Sequence, residues 1–376
     1  MATAWPPSWP GTYSAPDWRI PALGKIKPVA RLRRVDCSSP GIRRRRRGKG
    51  FEYIDGDGNK ITDPEVLARI AELVIPPAWE DVWICPYPMG HIQATGVDAR
   101  GRKQYRYHDK WRERRDQEKF DSMIAFARAL PLMRKRVQRQ LRRDGIDRDR
   151  VLAAAVRLLD RGFFRVGGED YAVENETYGL ATMHKSHVAI VNGSIVFDYP
   201  AKSGKRRVQN VVDPEVQEIV AALKRRRGGS PELLAYKEGG RWADVKSADI
   251  NAYVKQVTGG DFSAKDFRTW NATVLAAVAL AVSGEAATRS KTARKRAVAR
   301  AVKEVSHYLG NTPAVCRASY IDPRIFDRFD AGLTIGGVME EIGDTSDMGS
   351  LHGKVEEAVL DLIAGDEASP VVEKVA

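Results

Sequence analysis

The stretch HVAIVNGSIVFDYPAKSGKRRVQNVV, residues 187–212, decides the fold of this chain. Apolar and polar residues alternate on both sides of Asn192-Gly193. That dipeptide marks a tight hairpin, because both of its residues tolerate the positive φ the turn requires. A small antiparallel sheet is therefore predicted here. Before it, residues 111–130, 131–143 and 148–164 carry apolar side chains at helical spacing; after it, residues 268–284 and 291–310 do the same. A short sheet set among long helices reads as a mainly helical domain, spanning residues 111–340.

Upstream the pattern changes. Residues 31–50, RLRRVDCSSPGIRRRRRGKG, are basic, and Arg43 to Arg47 stand directly before a strand pattern. Residues 51–61, FEYIDGDGNKI, alternate around Asp-Gly-Asp-Gly-Asn and predict a β-hairpin at that turn. A calcium loop is the competing reading of DGDGN. It fails because Lys60 stands where such a loop needs glycine and Val66 where it needs a bidentate glutamate. Residues 64–73 predict a helix opened by proline, and residues 82–88 and 101–108 predict strands. Residues 31–110 thus form a small β-rich domain, and the fold class is α+β. Residues 1–30, rich in Pro, Gly and Ser, predict a disordered tail. Residues 341–376 predict an amphipathic helix, KVEEAVLDLIAG, with a frayed end.

Lys and Arg number 62 against 49 Asp and Glu, a net charge of +13. This excess suits a polyanionic partner, because each cation placed at a phosphate releases a counterion. Cys37, Cys85 and Cys316 lie far apart and lack metal-ligand spacing. His184 and His187 are close, but no second pair flanks them, so neither a disulfide framework nor a metal site is predicted. No apolar run approaches the roughly 20 residues of a membrane helix, and the start lacks the order of a signal peptide. The expected setting is the cytoplasm, with the nucleoid. AKSGKR is not a phosphate-binding loop, since Tyr199 occupies the place of its first glycine. No nucleotide or other cofactor is implied.

Breaking a phosphodiester without a metal needs a nucleophile, cations around the phosphorus, and an acid for the departing oxygen. Tyrosine suits the first role, because it leaves a phosphodiester that can be attacked again. Arginine suits the second, through its planar fork and permanent charge. Lysine suits the third once neighbouring cations lower its pKa.

Three stretches carry such residues in order: FFRVGGEDYAVENETYGLATMHKSHV (163–188), KDFRTW (265–270) and SHYLGNTPAVCRASY (306–320). They resemble signatures of the type IB DNA topoisomerases of the short bacterial and poxvirus kind. The upstream IPPAWEDVWICPYPMGHIQATGVDARGRKQYRYH (75–108) resembles the amino-terminal DNA-clamping domain of that family. The resemblance spans roughly residues 31–335. It implies a C-shaped clamp of a β-rich and a helical domain around duplex DNA. It also implies metal- and ATP-independent relaxation of supercoils by a monomer through a 3′-phosphotyrosyl intermediate.

By that resemblance Tyr320, nine residues after Asn311, is the nucleophile; read alone it would be a packing residue after a polar helix. Arg165 binds the scissile phosphate and assists proton transfer to the 5′ oxygen. Lys202 matches the general acid, with Lys205 the alternative in the same hairpin. Arg268 is the second arginine, expected at a helix start whose partial positive charge would face the phosphate. Asn311 donates to a non-bridging oxygen, and would fit a helix C-terminal turn equally well. Gln104, Tyr105 and Tyr107 match the element that enters the major groove, with Arg100, Arg102 and Lys103 at phosphates. Tyrosine recombinases share the catalytic fold, but typically carry histidine where Lys265 stands, three residues before Arg268. A DNA-coating protein would explain the charge but not the ordered Arg165, Lys202, Arg268, Asn311 and Tyr320.

Overall fold

The computed structural model describes residues 31–284, 290–339, 351–366 and 369–374. The Pro-rich start expected as a disordered tail lies outside the described residues, as does 340–350. The chain divides into two compact units, Met1–Arg115 and Asp116–Ala376.

The first unit is built on one antiparallel sheet of five strands, β1 (Ile42–Arg47), β2 (Gly50–Ile54), β3 (Glu80–Ile84), β4 (Ile92–Val97) and β5 (Lys103–Tyr107). Their order is β2-β1-β3-β4-β5. Helix α1 (Pro64–Glu72) follows β2 and is capped by Asp63, whose carboxylate accepts from the Glu65 and Val66 N–H groups. Its Ile70 packs with Ile42, Val82, Ile84 and Ala94 into a small core.

The hairpin predicted around DGDGN is present only as a short pairing, and a longer one forms on the other side of β2. The partner of β2 is the arginine run itself, in register from Arg43 opposite Ile54 to Arg47 opposite Gly50. Arginine stems are apolar enough to lie on a sheet while their heads reach outward. Arg44 lies over the Phe51 ring at 4.2 Å and donates to the Pro76 carbonyl at 3.1 Å, and Arg45 pairs with Glu52 at 2.6 Å. Across the DGDGN turn the hairpin is short: Ile54 bridges Lys60, the Ile61 N–H donates to the Tyr53 carbonyl at 2.9 Å, and the Asp55 carboxylate accepts from the Asp57 and Asn59 N–H groups. Strand β4 was not legible, because Gln93, Ala94, Thr95 and Gly96 are buried on both faces and no alternation marks them.

In the second unit, the predicted helical runs 111–130 and 131–143 merge into a 33-residue helix, α2 (Asp109–Leu141), with Pro131 inside it. An internal proline costs about 3 kcal/mol. The buried stripe Phe126, Leu130, Met133, Val137 and Leu141 continues through it, and each such side chain returns about 1.5–3 kcal/mol on burial. The stripe wins, and the helix runs on.

Helix α3 (Arg148–Arg161) is the central element, buried continuously from Arg150 to Asp160. Its Ala153, Ala154 and Ala155 let neighbours approach closely. Helices α5 (Pro214–Arg225), α6 (Ser247–Thr258) and α7 (Ala264–Val282) all pack against it. Between α3 and α5 come the short helix α4 (Glu169–Asn175) and the predicted sheet, β6 (Val188–Val191), β7 (Ser194–Ala201) and β8 (Lys205–Val211), paired in sequence order. Its first turn is Asn192-Gly193, at φ of 48° and 78°. A second hairpin, β9 (Ala235–Glu238) and β10 (Arg241–Asp244), leads into α6. After α7 come α8 (Lys291–Leu309), α9 (Pro313–Ser319), α10 (Pro323–Asp330) and, near the end, α11 (Lys354–Ala364).

A buried ion cluster fastens α11 to the rest. Arg134 of α2 pairs with Asp160 of α3 at 2.8 Å and with Glu356 of α11 at 2.5 Å, and Glu356 also accepts from the Trp270 indole at 2.8 Å. Burial alone would raise the Asp160 pKa, but Arg134, His352 and Arg157 outweigh it and hold it below the ordinary 3.8. Asp160 therefore adds stability at pH values above 3.8, and this is lost as the pH falls through its lower folded value. Replacing Arg134 by methionine leaves two buried carboxylates without their cation. We expect a loss of about 3–5 kcal/mol, read as a lower midpoint in urea unfolding at neutral pH. A change below about 1 kcal/mol would mean the cluster is solvated.

Candidate active site

Arg165, Asn311, Arg268 and Tyr320 are supplied by four separate places in the chain. The first is the segment leaving α3. Phe164 is fully buried and meets Phe197 of β7 edge-on at 4.8 Å, which anchors the next residue, Arg165, at the sheet. The Arg165 carbonyl accepts from the Leu180 N–H at 2.8 Å. Its side chain reaches the second place, the turn ending α8, where Nη2 donates to Asn311 Oδ1 at 2.5 Å. That contact orients the Asn311 amide, and its Nδ2 is left buried with no partner among the described residues. A buried N–H without an acceptor is costly, so the geometry is set for an incoming one.

Gly310 ends α8 in the left-handed region, at φ of 62°. A Cβ there would also stand 2.7 Å from Nη1 of Arg207 and push that side chain aside, so the positive φ and the arginine both favour glycine. Arg207 was not singled out from the sequence. It lies on β8, donates to the Tyr308 and His307 carbonyls at the end of α8, and meets Gln209 at 3.2 Å. Burial first, and then the Arg165 charge, lower its pKa. The signal was present: Arg207 and Gln209 alternate in phase with buried Val211, so Arg207 faces inward while Arg206 does not.

The third place is α7. Arg268 was expected at the helix start, but it sits in the second turn, and the first turn is closed by Asp266, whose carboxylate accepts from the Ser263 N–H at 2.7 Å. The charge offered here is thus the guanidinium, not the helix end. Arg268 is 3% exposed. It donates to the Phe163 carbonyl and, at 2.9 Å, to the Leu309 carbonyl, and its buried Nε has no partner among the described residues. Burial and the nearby Arg165 push its pKa down to about 10.

The fourth is Tyr320, directly after α9. Its ring lies 5.3 Å from the Arg268 guanidinium carbon. Burial would raise the pKa of the phenol. Arg268, Arg165, a hydrogen bond with Arg268 and the charge of Lys265 together outweigh burial, and the pKa falls below that of an ordinary tyrosine. A half-buried phenol beside a guanidinium is stabilised as the phenolate.

A cleft of about 480 Å³ is lined by Arg165, Lys202, Lys205, Arg207, Tyr308 and Asn311, among others. Both candidate lysines therefore face one cleft with Arg165 and Asn311. Lys202 begins a single helical turn between β7 and β8, in which Ser203 takes φ of 68°. Tyr320 and Arg268 are not among the walls, and are linked to the cleft by the charge of Arg165. Among the described residues no three His, Cys, Asp or Glu side chains converge as a metal group.

In the first unit, Lys103, Tyr105 and Tyr107 share the exposed face of β5. The two tyrosine rings stack at 6.0 Å. Strand alternation puts Gln104 on the other face, where its amide donates to Asp98 at 2.9 Å. The predicted trio is thus split. Arg102 also pairs with Asp98, at 2.8 Å, and Arg100 is exposed.

Comparisons with known proteins agree with one another. The sequence family described as eukaryotic DNA topoisomerase I, catalytic core, matches residues 108–330, and that described as bacterial DNA topoisomerase IB, N-terminal domain, matches residues 50–98. The DNA topoisomerase 1B of Acanthamoeba polyphaga mimivirus is 31% identical over 285 residues, covering 75% of this chain and 85% of the viral one. The DNA topoisomerase I of Monkeypox virus and the DNA topoisomerase 1B of Vaccinia virus (strain Copenhagen) are each 23% identical over 235 residues, covering 62% of this chain and 71% of theirs.

Proposed function

This chain belongs to the type IB DNA topoisomerase family, and from that premise we propose that it relaxes supercoiled DNA through a covalent bond between Tyr320 and a 3′ phosphate. Its substrate is DNA, and it is a topoisomerase. The observation that carries the proposal is the ring of Tyr320 under Arg268, with the phenol held below its usual pKa.

In this reading the Tyr320 oxygen bonds to phosphorus as the bond to the 5′ oxygen breaks. That oxygen takes a proton and leaves as a hydroxyl. Arg165, Arg268 and the Nδ2 of Asn311 donate to the non-bridging oxygens, where charge builds in the transition state. Arg207 adds a further cation to the same cleft. Supercoil tension turns the free end, and the 5′-hydroxyl then attacks the phosphotyrosine in the reverse step. The phosphodiester is conserved throughout, so no ATP is consumed. Cations and an amide fill the roles around the phosphate that a metal would otherwise take. Lys103, Tyr105 and Tyr107, with Arg100 and Arg102, contact DNA from the first unit; Gln104 does so only by leaving Asp98. The protein works as a monomer in the cytoplasm, on the nucleoid.

A plasmid relaxation assay tests the proposal. Complete relaxation of any supercoiled plasmid, in EDTA and without ATP, is expected. A shift in mobility alone would point to a coating protein, and a requirement for particular sites would point to a recombinase.

Lys202 supplies the proton to the 5′ oxygen. Lys202→Ala is expected to slow cleavage by roughly 10²–10⁴-fold. A substrate with a 5′-bridging sulfur, whose thiolate leaves without a proton, restores the rate. Failure of this rescue, with rescue in Lys205→Ala instead, would move the acid to Lys205.

A further inference from the structure

Helix α2 carries a lysine that the proposed mechanism does not use. Lys119 is largely buried, with its side chain 18% exposed. Its ammonium lies over the Phe120 ring, 3.9 Å from the ring centre, and donates to the Ser319 carbonyl at 2.8 Å. The nearest carboxylate oxygen, on Asp116, is 4.0 Å away. The carbonyl is thus its closest partner.

Ser319 and Tyr320 share one peptide group, and a peptide group is planar and stiff. Its two polar ends are both engaged: the Tyr320 N–H bonds to the Cys316 carbonyl at 3.0 Å, and the Ser319 carbonyl is held by Lys119. With the plane pinned at both edges, the direction in which the Tyr320 side chain leaves the backbone is set. The far side of Tyr320 is tied to the same part of α2. Arg324 donates to the Phe120 carbonyl and to Asp121, each at 3.1 Å, while also gripping Asp322 at 2.7 Å. Thr273 of α7 accepts from the Asp322 N–H at 3.1 Å. Helix α9 ends at Ser319, so its last carbonyls have no partner within the helix, and a cation there is also favoured by the helix dipole.

We propose that Lys119 is a positioning residue for Tyr320, fixing the peptide group through which the chain enters it. This rests on the reading of Tyr320 as the nucleophile. The tie is pH-sensitive. Burial, opposed by Asp116 on α2, pushes the Lys119 pKa down to about 8; Lys265 lowers it further, and Asp322 and Asp266 raise it. Above that pH the ammonium becomes a neutral amine, which is a weaker donor to a carbonyl.

The test compares the full-length chain with Lys119→Met in single-turnover cleavage of a suicide DNA substrate at saturating protein. Misplacing a reacting group by about 1 Å costs on the order of a hundredfold. The variant is expected to cleave between about tenfold and a hundredfold more slowly, with undiminished final adduct and unchanged DNA affinity and melting temperature. The ratio of wild-type to variant rate should fall as the pH rises through 8. Amide exchange across residues 316–322 should be faster in the variant.

Rates within about twofold at every pH, with unchanged exchange, would overturn the proposal. So would a lower melting temperature with less adduct formed at the wild-type rate, since Lys119 would then serve only the fold. If the wild-type adduct maps to another residue, it is the reading of Tyr320 that fails. The exchange of 316–322 still decides whether Lys119 holds that segment.

Discussion

Tyr320→Phe is expected to bind DNA as the unaltered chain does and to relax none of it. The substitution removes one oxygen and leaves the ring that packs beside Arg268, so fold and DNA surface are kept. Loss of an essential nucleophile costs on the order of a million-fold in a comparable covalent mechanism, which places residual relaxation below detection. The same assignment fixes a pH dependence. Arg268 and Arg165 overcome burial and hold the Tyr320 pKa below the ordinary 10.0. Cleavage should therefore rise with pH as phenolate forms, and level off before pH 10.0. Measurable relaxation by Tyr320→Phe, above a mock preparation, would remove Tyr320 from the mechanism.

Arg268→Ala should produce the second largest loss. A guanidinium that neutralises a phosphoryl transition state is worth about 10³–10⁵ in rate. Arg268 is well placed for this role, because its Nη atoms are fixed by the Phe163 and Leu309 carbonyls while its Nε has no partner among the described residues. Burial pushes its pKa down to about 10, so the fold bears a cost for keeping this cation. Removing it should then reduce activity far more than stability. Without Arg268, its charge and hydrogen bond no longer lower the Tyr320 pKa, and the rise of cleavage with pH should move to higher pH. Arg268→Lys keeps a charge but loses the planar fork, and should lie between the two. A fall in activity fully matched by a fall in melting temperature would make Arg268 a structural residue.

Much of this was legible in residue order, for physical reasons that differ by element. Asn192-Gly193 announced its hairpin, because only residues tolerant of positive φ close that turn. The α3 and α7 helices were legible from apolar spacing. Tyr320, Arg268 and Arg165 were found through the order of the motifs around them, since none is distinctive alone. The arginine run of β1 was not read as a strand, because its long side chains hide the alternation. Gln104 was grouped with Tyr105 and Tyr107, although strand alternation separates neighbours. Arg207 was passed over among several cations in its hairpin. The tie from Lys119 to Ser319 joins residues 200 apart, and no local pattern carries such a contact.

In the proposed reaction the Tyr320 oxygen becomes esterified to DNA. The most direct measurement mixes the protein with a nicked or suicide duplex, stops the reaction in denaturant, digests it, and maps the modified peptide by mass spectrometry. The expected product is a nucleotide joined through its 3′ phosphate to Tyr320, with a free 5′-hydroxyl on the other fragment. A nucleotide on any other side chain, or relaxation with no trapped adduct at all, would contradict it.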